Sequence, residues 1–261
     1  MRLTVLGSSA SYAGPGQACA GHLLECGSAR VLLDCGNGVL ANLARVCDPL
    51  TLDAVVVTHE HVDHFADVYA LQALLRYAPG GAAPAVPLYA PAGLFDAMGC
   101  LLSDRGRAEL AEAFVVHELS PGAPIELRDG LVLTPLPVDH TPATFAVRAQ
   151  SSAGVLCYTS DTAAGERALL AARGCDLLLA EATLPELYAG RAPHMTAREA
   201  GELARQAGAG QLVLTHVWPT NDRDTMVREA AQVFGGPVSI ATEFDTYEVG
   251  DGTVPARGAT R

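Results

Sequence analysis

The stretch that decides the fold is Ala54-Val55-Val56-Val57-Thr58-His59-Glu60-His61-Val62-Asp63-His64. Its first part is a short apolar and β-branched run, which predicts a buried strand, and a helix is predicted to begin at Asp63. Three imidazoles and a carboxylate therefore lie together on a loop where a strand ends. Imidazole nitrogens and carboxylate oxygens are suitable ligands for Zn²⁺ and related ions. Four such ligands on one short loop are more than a single tetrahedral ion would bind from it. The stretch predicts a site for two metal ions.

The order of the four side chains divides them between the two ions. Because His59 and His61 alternate along the chain, we expect both to face one ion. Asp63 and His64 are then available to a second ion beside it. The alternative is a charged helix start with solvated histidines.

The pattern His-x-His-x-Asp-His after a Val-rich strand resembles the signature of the metallo-β-lactamase superfamily. This resemblance implies an α/β fold, an αββα sandwich of two mixed β-sheets with helices on both outer faces. Three later stretches resemble the remaining motifs of the family in the same order. They are Val138-Asp139-His140-Thr141, Tyr158-Thr159-Ser160-Asp161-Thr162 and Leu212-Val213-Leu214-Thr215-His216.

The resemblance also implies which side chains hold the metal, in two sets that share one carboxylate. The sets are His59, His61 and His140 for the first ion, Asp63, His64 and His216 for the second, and Asp161 for both. We expect two divalent transition-metal ions. Zn²⁺ is the expected metal, and Mn²⁺ is the alternative. No cysteine belongs to these sets, which separates the chain from the β-lactam-hydrolysing branch that uses one.

Composition is that of an ordinary soluble enzyme. The chain has 261 residues, of which 49% are hydrophobic and 18% charged, enough to bury a sizeable core. Its first residues form a strand pattern instead of a secretory signal, and no apolar run is long enough to predict a membrane span. The seven cysteines lack zinc-type spacing and predict reduced thiols. We therefore expect a cytoplasmic protein without a membrane partner.

Strand and helix patterns alternate through two similar halves, which fits two packed sheets with outer helices. Residues 1–249 are predicted to form one domain, and residues 250–261 a flexible tail. The strands are predicted near residues 3–6, 22–25, 31–34, 54–57, 86–89, 131–135, 144–149, 155–159, 177–180, 211–215 and 238–240. The helices are predicted near residues 39–46, 63–77, 92–102, 164–173, 196–207 and 222–234.

From a site with two adjacent divalent ions we expect hydrolysis of a phosphodiester by a hydroxide that bridges the ions. Asp63 is a candidate for orienting the attacking water. The leaving alkoxide needs a proton, and His194 is the candidate donor. It lies just before a predicted helix that Thr196 and Glu199 would close with a capping box. The alternative for His194 is a surface loop histidine.

The segment around His194 resembles the histidine loop of ribonuclease Z, the tRNA 3′-processing endonuclease, and its phosphodiesterase relatives. Glu181 resembles a glutamate that supports the site in that branch, although Ala180 stands where the branch usually has a histidine. Asp34 lies in an Asp-Cys-Gly turn that commonly supports the ligand loop in the family. Carboxylates in such positions fix the tautomers of metal-binding histidines.

Three hydroxyls are weaker candidates for contact with a substrate. Ser8 and Ser9 belong to the loop after the first predicted strand, where they could reach a phosphate or ribose. A plain flexible connection is the alternative. Thr141 directly follows a predicted ligand and could line the pocket, and a turn before a strand explains it as well.

A large nucleic-acid substrate is not expected. Ribonuclease Z carries a long basic arm between its third and fourth motifs, whereas only residues 141–160 separate His140 from Asp161 here. The net charge of −12, from 17 basic and 29 acidic residues, opposes a phosphate-dominated interface. The sequence has one tryptophan and no cluster of basic residues, so it indicates neither a stacking platform nor a basic groove for nucleic acid. We therefore expect a small-molecule phosphodiester and no stable nucleic-acid complex.

The whole chain, including its opening Leu6-Gly7-Ser8-Ser9-Ala10-Ser11-Tyr12, resembles actinobacterial relatives of ribonuclease Z proposed to be cyclic nucleotide phosphodiesterases. This implies a dinuclear metal phosphodiesterase that hydrolyses a small cyclic phosphodiester, cyclic AMP first. The alternatives are an RNA-processing nuclease of the ribonuclease Z type, and a lactonase or thioesterase of the same fold. A metal-dependent sensor or binding protein without activity is the non-enzymatic alternative.

The helix predicted after the ligand loop also predicts a homodimer. It is apolar on more than one face, with Phe65, Tyr69 and Leu75 among the apolar positions. Such a helix is buried either in a core or at an interface. In ribonuclease Z relatives the corresponding region pairs subunits, which favours the interface.

Overall fold

The computed structural model describes residues 1–250, which form two seven-stranded β-sheets. The first sheet contains β1 (Arg2–Gly7), β2 (Gly21–Cys26), β3 (Ala29–Leu33), β4 (Ala54–Val56), β5 (Val86–Ala90), β6 (Phe114–Glu118) and the last strand, β14 (Thr246–Glu248). The second contains β7 (Ile125–Glu126), β8 (Val132–Val138), β9 (Thr144–Ser151), β10 (Gly154–Tyr158), β11 (Leu177–Glu181), β12 (Gln211–Thr215) and β13 (Val238–Ile240).

The two sheets have matching mixed topologies. The first runs in the order β14-β1-β2-β3-β4-β5-β6 and the second in the order β13-β12-β11-β10-β9-β8-β7. In the first sheet the pairs from β14 to β3 are antiparallel, and those from β3 to β6 are parallel. In the second, β7 to β10 pair antiparallel and β10 to β13 pair parallel. Each sheet therefore has an antiparallel part and a parallel part, and the parallel strands need crossover connections, here with helices.

Within residues 1–250, eight α-helices cover the outer faces of the sheets. They are α1 (Val39–Val46), α2 (Val62–Phe65), α3 (Val68–Tyr77), α4 (Leu94–Gly99), α5 (Asp104–Ala113), α6 (Glu166–Ala172), α7 (Ala197–Ala207) and α8 (Arg223–Phe234). The predicted capping box is present at α7, since Thr196 Oγ1 accepts from Glu199 N and Glu199 Oε2 accepts from Thr196 N. Both bonds satisfy amide groups that the first turn of a helix leaves free.

Three apolar layers hold these elements together. One lies between the sheets and includes Leu24 and Leu179. A second lies between the first sheet and helices α1 to α5, and a third between the second sheet and helices α6 to α8. Layers of helix, sheet, sheet and helix are the αββα sandwich that the sequence predicts, so the predicted fold class is confirmed.

The single helix predicted over residues 63–77 is wrong, because it breaks into α2 and α3. The amide of Asp67 donates to Cys35 O at 2.9 Å, outside the helix, and Cys35 N donates to His64 O at 2.7 Å. The ligand loop is thereby fastened to the Asp34-Cys35-Gly36 turn. A Cβ on Gly36 would lie 1.9 Å from Asp63 O, so this approach requires glycine.

Other elements differ from the sequence-based expectations at the ends of the sheets. The helix predicted over residues 92–102 is the shorter α4, followed by an unpredicted α5. Strands β6, β7 and β14 were also not predicted, and β6 and β7 are edge strands. The tail predicted from residue 250 lies, from residue 251 onward, outside the described residues. Within residues 1–250, no helix has the length and apolarity needed to cross a membrane.

The apolar positions behind the homodimer prediction pack largely within the chain. Phe65 and Leu75 are buried in the layer between the first sheet and its helices, and Tyr69 packs against that layer. Tyr77, at the end of α3, is exposed. The core therefore accounts for the apolar faces of this segment without a second subunit, and the homodimer stays a prediction.

Candidate metal centre

All seven predicted ligands meet at one edge of the sandwich, where strands from both sheets end. The loop after β4 brings His59, His61, Asp63 and His64 from the first sheet. The second sheet contributes one residue after each of three strands, namely His140 after β8, Asp161 after β10 and His216 after β12. The site thus lies across the seam between the sheets, and neither sheet contains it alone.

The first predicted set forms a tight group of potential donor atoms. His59 Nε2 lies 3.1 Å from His61 Nδ1, which lies 3.3 Å from His140 Nε2. Asp161 Oδ2 lies 3.5 Å from His59 Nε2. These four ligand atoms are all within 4.8 Å of one another, a spacing that a single ion can span.

The second predicted set is grouped in the same way. His216 Nε2 lies 3.1 Å from His64 Nε2 and 3.2 Å from Asp63 Oδ2. His64 Nε2 and Asp63 Oδ2 are 3.9 Å apart. The three atoms again fall within 4.8 Å of one another, so they too can share one ion.

Asp161 lies between the two sets. Its Oδ2 faces His59, and its Oδ1 lies 3.4 Å from His64 Nε2 and 3.3 Å from His216 Nδ1. The residue is almost fully buried, yet Oδ1 has no hydrogen-bond partner among residues 1–250. A buried, unpartnered carboxylate oxygen costs free energy unless a cation or donor faces it. The site therefore fits metal binding at this oxygen.

Two of the predicted histidine ligands are held so that Nε2 faces the other ligand atoms. His64 Nδ1 donates to Asp34 Oδ2 at 2.8 Å, and His140 Nδ1 donates to Pro193 O at 3.0 Å. Since a carboxylate and a carbonyl only accept, these bonds leave the Nε2 lone pairs free to bind metal. Neutral imidazoles and carboxylates presented in this way suit divalent metal ions.

Asp34 supports the ligand loop, in the position the sequence suggests. It is fully buried and accepts from His64, from the Thr58 amide at 2.8 Å and from Tyr158 Oη at 2.8 Å. Burial raises the pKa of this carboxyl, but the neighbouring His64 and the hydrogen bonds outweigh it and lower the pKa overall. An ionised Asp34 therefore fixes the ring of His64.

Glu181 performs a similar task on the other side of the site. It is fully buried, and its Oε1 accepts from His194 Nδ1 at 2.8 Å and from the Thr162 amide at 2.7 Å. Its Oε2 accepts from Thr183 Oγ1 at 2.8 Å, and that hydroxyl lies 2.9 Å from His216 Nδ1. One carboxylate thus contacts His194 directly and His216 through the Thr183 hydroxyl.

His194 lies beside the predicted ligands without belonging to either predicted set. Its ring centroid is 4.8 Å from that of His140 and 6.0 Å from that of His216. Burial lowers its pKa, but the hydrogen bond and charge of Glu181 outweigh burial and raise the pKa above the ordinary value. His194 can also approach Asp161 and His216 closely enough to share an ion with them.

Backbone strain is concentrated at this site. Asp34, Ser160 and His216 all have φ between 50° and 58°, in the left-handed region that side chains with a Cβ seldom adopt. Each lies at or next to a strand end that presents a site residue. Conformations of this kind persist where surrounding contacts fix them, and they recur at functional sites.

The weaker candidates are placed less favourably. Ser8 and Ser9 are buried, and Ser9 Oγ donates to Gln17 Oε1 at 3.2 Å. Thr141 is exposed directly after His140. Both serines are almost fully buried, and substrate contact by these three residues stays a prediction.

Several residues of the site were not predicted. Tyr158 and Thr183 hold Asp34 and His216 through buried hydroxyls. The amide of Ser11 donates to Asp63 Oδ2 at 2.7 Å, which fastens the loop after β1 to the metal-binding loop. Thr183 lies in the same Glu-Ala-Thr segment as Glu181, which is the sequence signal that could have identified it.

Comparison with known proteins agrees with this geometry. Residues 29–217 match the family described as the beta-lactamase superfamily domain. A protein of Mycobacterium tuberculosis is 33% identical over 256 residues, which cover 95% of this chain and 92% of that protein. Ribonuclease Z of Mycobacterium bovis is 27% identical over 277 residues, covering 95% of this chain and 98% of that enzyme.

A relative of known structure shares both sequence and fold. The probable metallo-hydrolase YhfI of Bacillus subtilis is 30% identical over 254 residues, covering 95% of this chain and all of that protein. Its crystal structure matches with a TM-score of 0.85 at 28% identity, over 95% of this chain and 99% of that one.

Proposed function

The chain belongs to the beta-lactamase superfamily as a metal-dependent hydrolase, and we propose that it is a dinuclear phosphodiesterase acting on a small cyclic phosphodiester. Cyclic AMP is the first substrate we propose. The similarity to ribonuclease Z, an enzyme that cuts phosphodiester bonds in RNA, supports the reaction class.

The position of Asp161 is the observation that carries this proposal. Its two oxygens face different groups of imidazoles, at 3.5 Å from His59 Nε2 and 3.4 Å from His64 Nε2. One carboxylate shared in this way favours two neighbouring cations over one. A phosphodiester has two non-bridging oxygens that share one negative charge, so it gains more from paired cations than a neutral ester does.

In the proposed mechanism the predicted sets would hold the two ions, with Asp161 common to both. When bound, the ions would supply Lewis acidity, which activates water and offsets the charge of the phosphodiester. Asp63 is partly exposed and uses Oδ2 to accept from Ser11 N. We propose that its carboxylate orients the attacking water and also binds metal.

His194 supplies the proton that the leaving alkoxide needs. A carboxylate only accepts, so His194 Nδ1 donates its hydrogen to Glu181. The other ring nitrogen, Nε2, is therefore the one that can deliver a proton to the leaving group. The ring lies beside His140 and His216, one from each predicted set. A donor in this position serves the leaving group of a substrate bound between the two sets.

The small size of the substrate is supported by what connects the third and fourth motifs. Strands β9 and β10 form a hairpin there, with Val155 paired to Gln150, and the hairpin takes up most of residues 141–160. Together with the net charge of −12, this favours a compact phosphodiester over a long polynucleotide. An RNA-processing nuclease is the second candidate, because of the similarity to ribonuclease Z.

A panel of four substrates tests the proposal. We expect the purified, metal-loaded protein to hydrolyse cyclic AMP and bis-p-nitrophenyl phosphate, and to act poorly on a tRNA precursor and a homoserine lactone. Preferential cleavage of the tRNA precursor would favour the nuclease, and activity on the lactone alone would contradict a phosphodiesterase. Comparing 2′,3′- with 3′,5′-cyclic nucleotides then identifies which cyclic phosphodiester the protein prefers.

A further inference from the structure

Two loops are packed together beside the second predicted metal-binding set. The loop after β1 contacts the loop after β12 through Ala10 N to Val217 O at 3.1 Å and Val217 N to Ser8 O at 2.9 Å. A Cβ on Gly14 would lie 2.9 Å from Pro219 Cβ, so the backbones stay close further along both loops. The two loops therefore form one continuous rim of the site.

Each of these loops is also joined directly to the metal centre. The amide of Ser11 donates to Asp63 Oδ2 at 2.7 Å. Ser11 itself has φ of 61°, a conformation that the surrounding contacts must hold. On the other loop, His216 is itself a predicted ligand, and Val217 follows it. The rim is therefore fixed relative to the metal-binding atoms.

The rim carries two aromatic side chains that the proposed mechanism does not use. Tyr12 follows Ser11 and is 51% exposed. Trp218 follows Val217, is partly exposed, and is the only tryptophan of the chain. Tyr12 is one residue from Ser11, which contacts Asp63, and Trp218 is two residues from the predicted ligand His216. Two large rings that are accessible to water so close to the metal centre indicate a surface that a ligand covers.

The chemistry of the rim favours a flat, aromatic ligand group. Base-on-aromatic stacking does not depend on charge complementarity, so it remains available to a chain with a net charge of −12. A ligand held by basic side chains would instead need a cationic patch. A nucleobase is a flat aromatic group of this kind. Its sugar and phosphate can extend from the rim to the adjacent metal centre.

We propose that Tyr12 and Trp218 form a binding wall for the nucleobase of the substrate. This inference rests on the proposed function, because it takes the cyclic phosphodiester to be a nucleotide. It adds that recognition of the base, and not only of the phosphate, distinguishes substrates. The two side chains are specificity-determining residues and take no part in bond cleavage.

Binding of adenosine tests the wall separately from catalysis, since adenosine has no phosphodiester to cleave. Trp218 is the only source of tryptophan fluorescence, so its quenching reports directly on the rim. We expect adenosine to quench it in the metal-loaded protein and ribose to leave it unchanged. Tyr12→Leu should weaken adenosine binding by about 10-fold, and Tyr12→Phe, which keeps a ring, should bind almost as the parent does.

Tyr77→Leu is the matched control, because Tyr77 is similarly exposed on α3 and lies outside the rim. On cyclic AMP, Tyr12→Leu and Trp218→Leu should each raise KM by about 10-fold with little change in kcat. No quenching by adenosine, or an unchanged KM in both variants, would overturn the wall while leaving the proposed function intact. Adenosine binding that Tyr12→Leu weakens, in a protein that hydrolyses no cyclic nucleotide, would support the wall and contradict the proposed function.

Discussion

Replacing His194 with alanine separates proton donation from metal binding. The bond from His194 Nδ1 to Glu181 Oε1 is lost, but Glu181 still accepts from the Thr162, Thr183 and Met195 amides and from the Thr183 hydroxyl. The buried carboxylate therefore keeps four of its five donors, and the fold should lose only about 1–3 kcal/mol. Because neither predicted set includes His194, the variant should keep both ions.

Turnover of cyclic AMP should fall by roughly 10²–10⁴-fold in His194→Ala, the usual effect of removing a positioned proton donor. The fall should be smaller on bis-p-nitrophenyl phosphate, whose leaving group needs little protonation. Steady-state kinetics on both substrates, with metal content measured in parallel, gives the comparison. His117→Ala, which changes an exposed histidine on β6, is the control and should match the parent. Equal losses on both substrates with metal retained would indicate substrate positioning, and loss of an ion would make His194 a ligand.

Three further predictions concern the supports of the site and the assembly of the chain. Asp34→Asn should weaken metal binding by about 10–100-fold in a chelator competition, because the carboxylate that orients His64 is replaced, and an unchanged affinity would refute this role. Removing metal with EDTA should lower the melting temperature by several degrees, since ions that bind only the folded chain stabilise it, and an unchanged temperature would contradict tight binding. Light scattering at micromolar concentration should give twice the chain mass of 27.1 kDa, and a monomer would reject the homodimer.

The sequence contains enough information to predict which elements carry the candidate site. The His59-to-His64 stretch combines ligand residues with a strand end, and the later motifs each follow an apolar run, so local pattern alone locates them. The capping box at Thr196 is equally local, because both of its bonds lie within four residues. These features need no knowledge of how the sheets pack.

The supports of the site could not be predicted in this way, because they depend on contacts between distant parts of the chain. Tyr158 reaches Asp34 across 124 positions of sequence, from one sheet to the other. The break between α2 and α3 follows from a hydrogen bond between Asp67 and Cys35, which helical periodicity does not contain. Trp218 is likewise an ordinary loop residue until the loops after β1 and β12 are seen to pack together.

The number of ions in the purified protein tests the central claim most directly. Elemental analysis after metal-replete expression should give close to two transition-metal equivalents per chain, because the seven predicted ligands form two groups around Asp161. Asp161→Ala should lower this content, since the carboxylate common to both groups is removed. One tightly held ion in the parent protein, with the same content in Asp161→Ala, would contradict a two-metal centre.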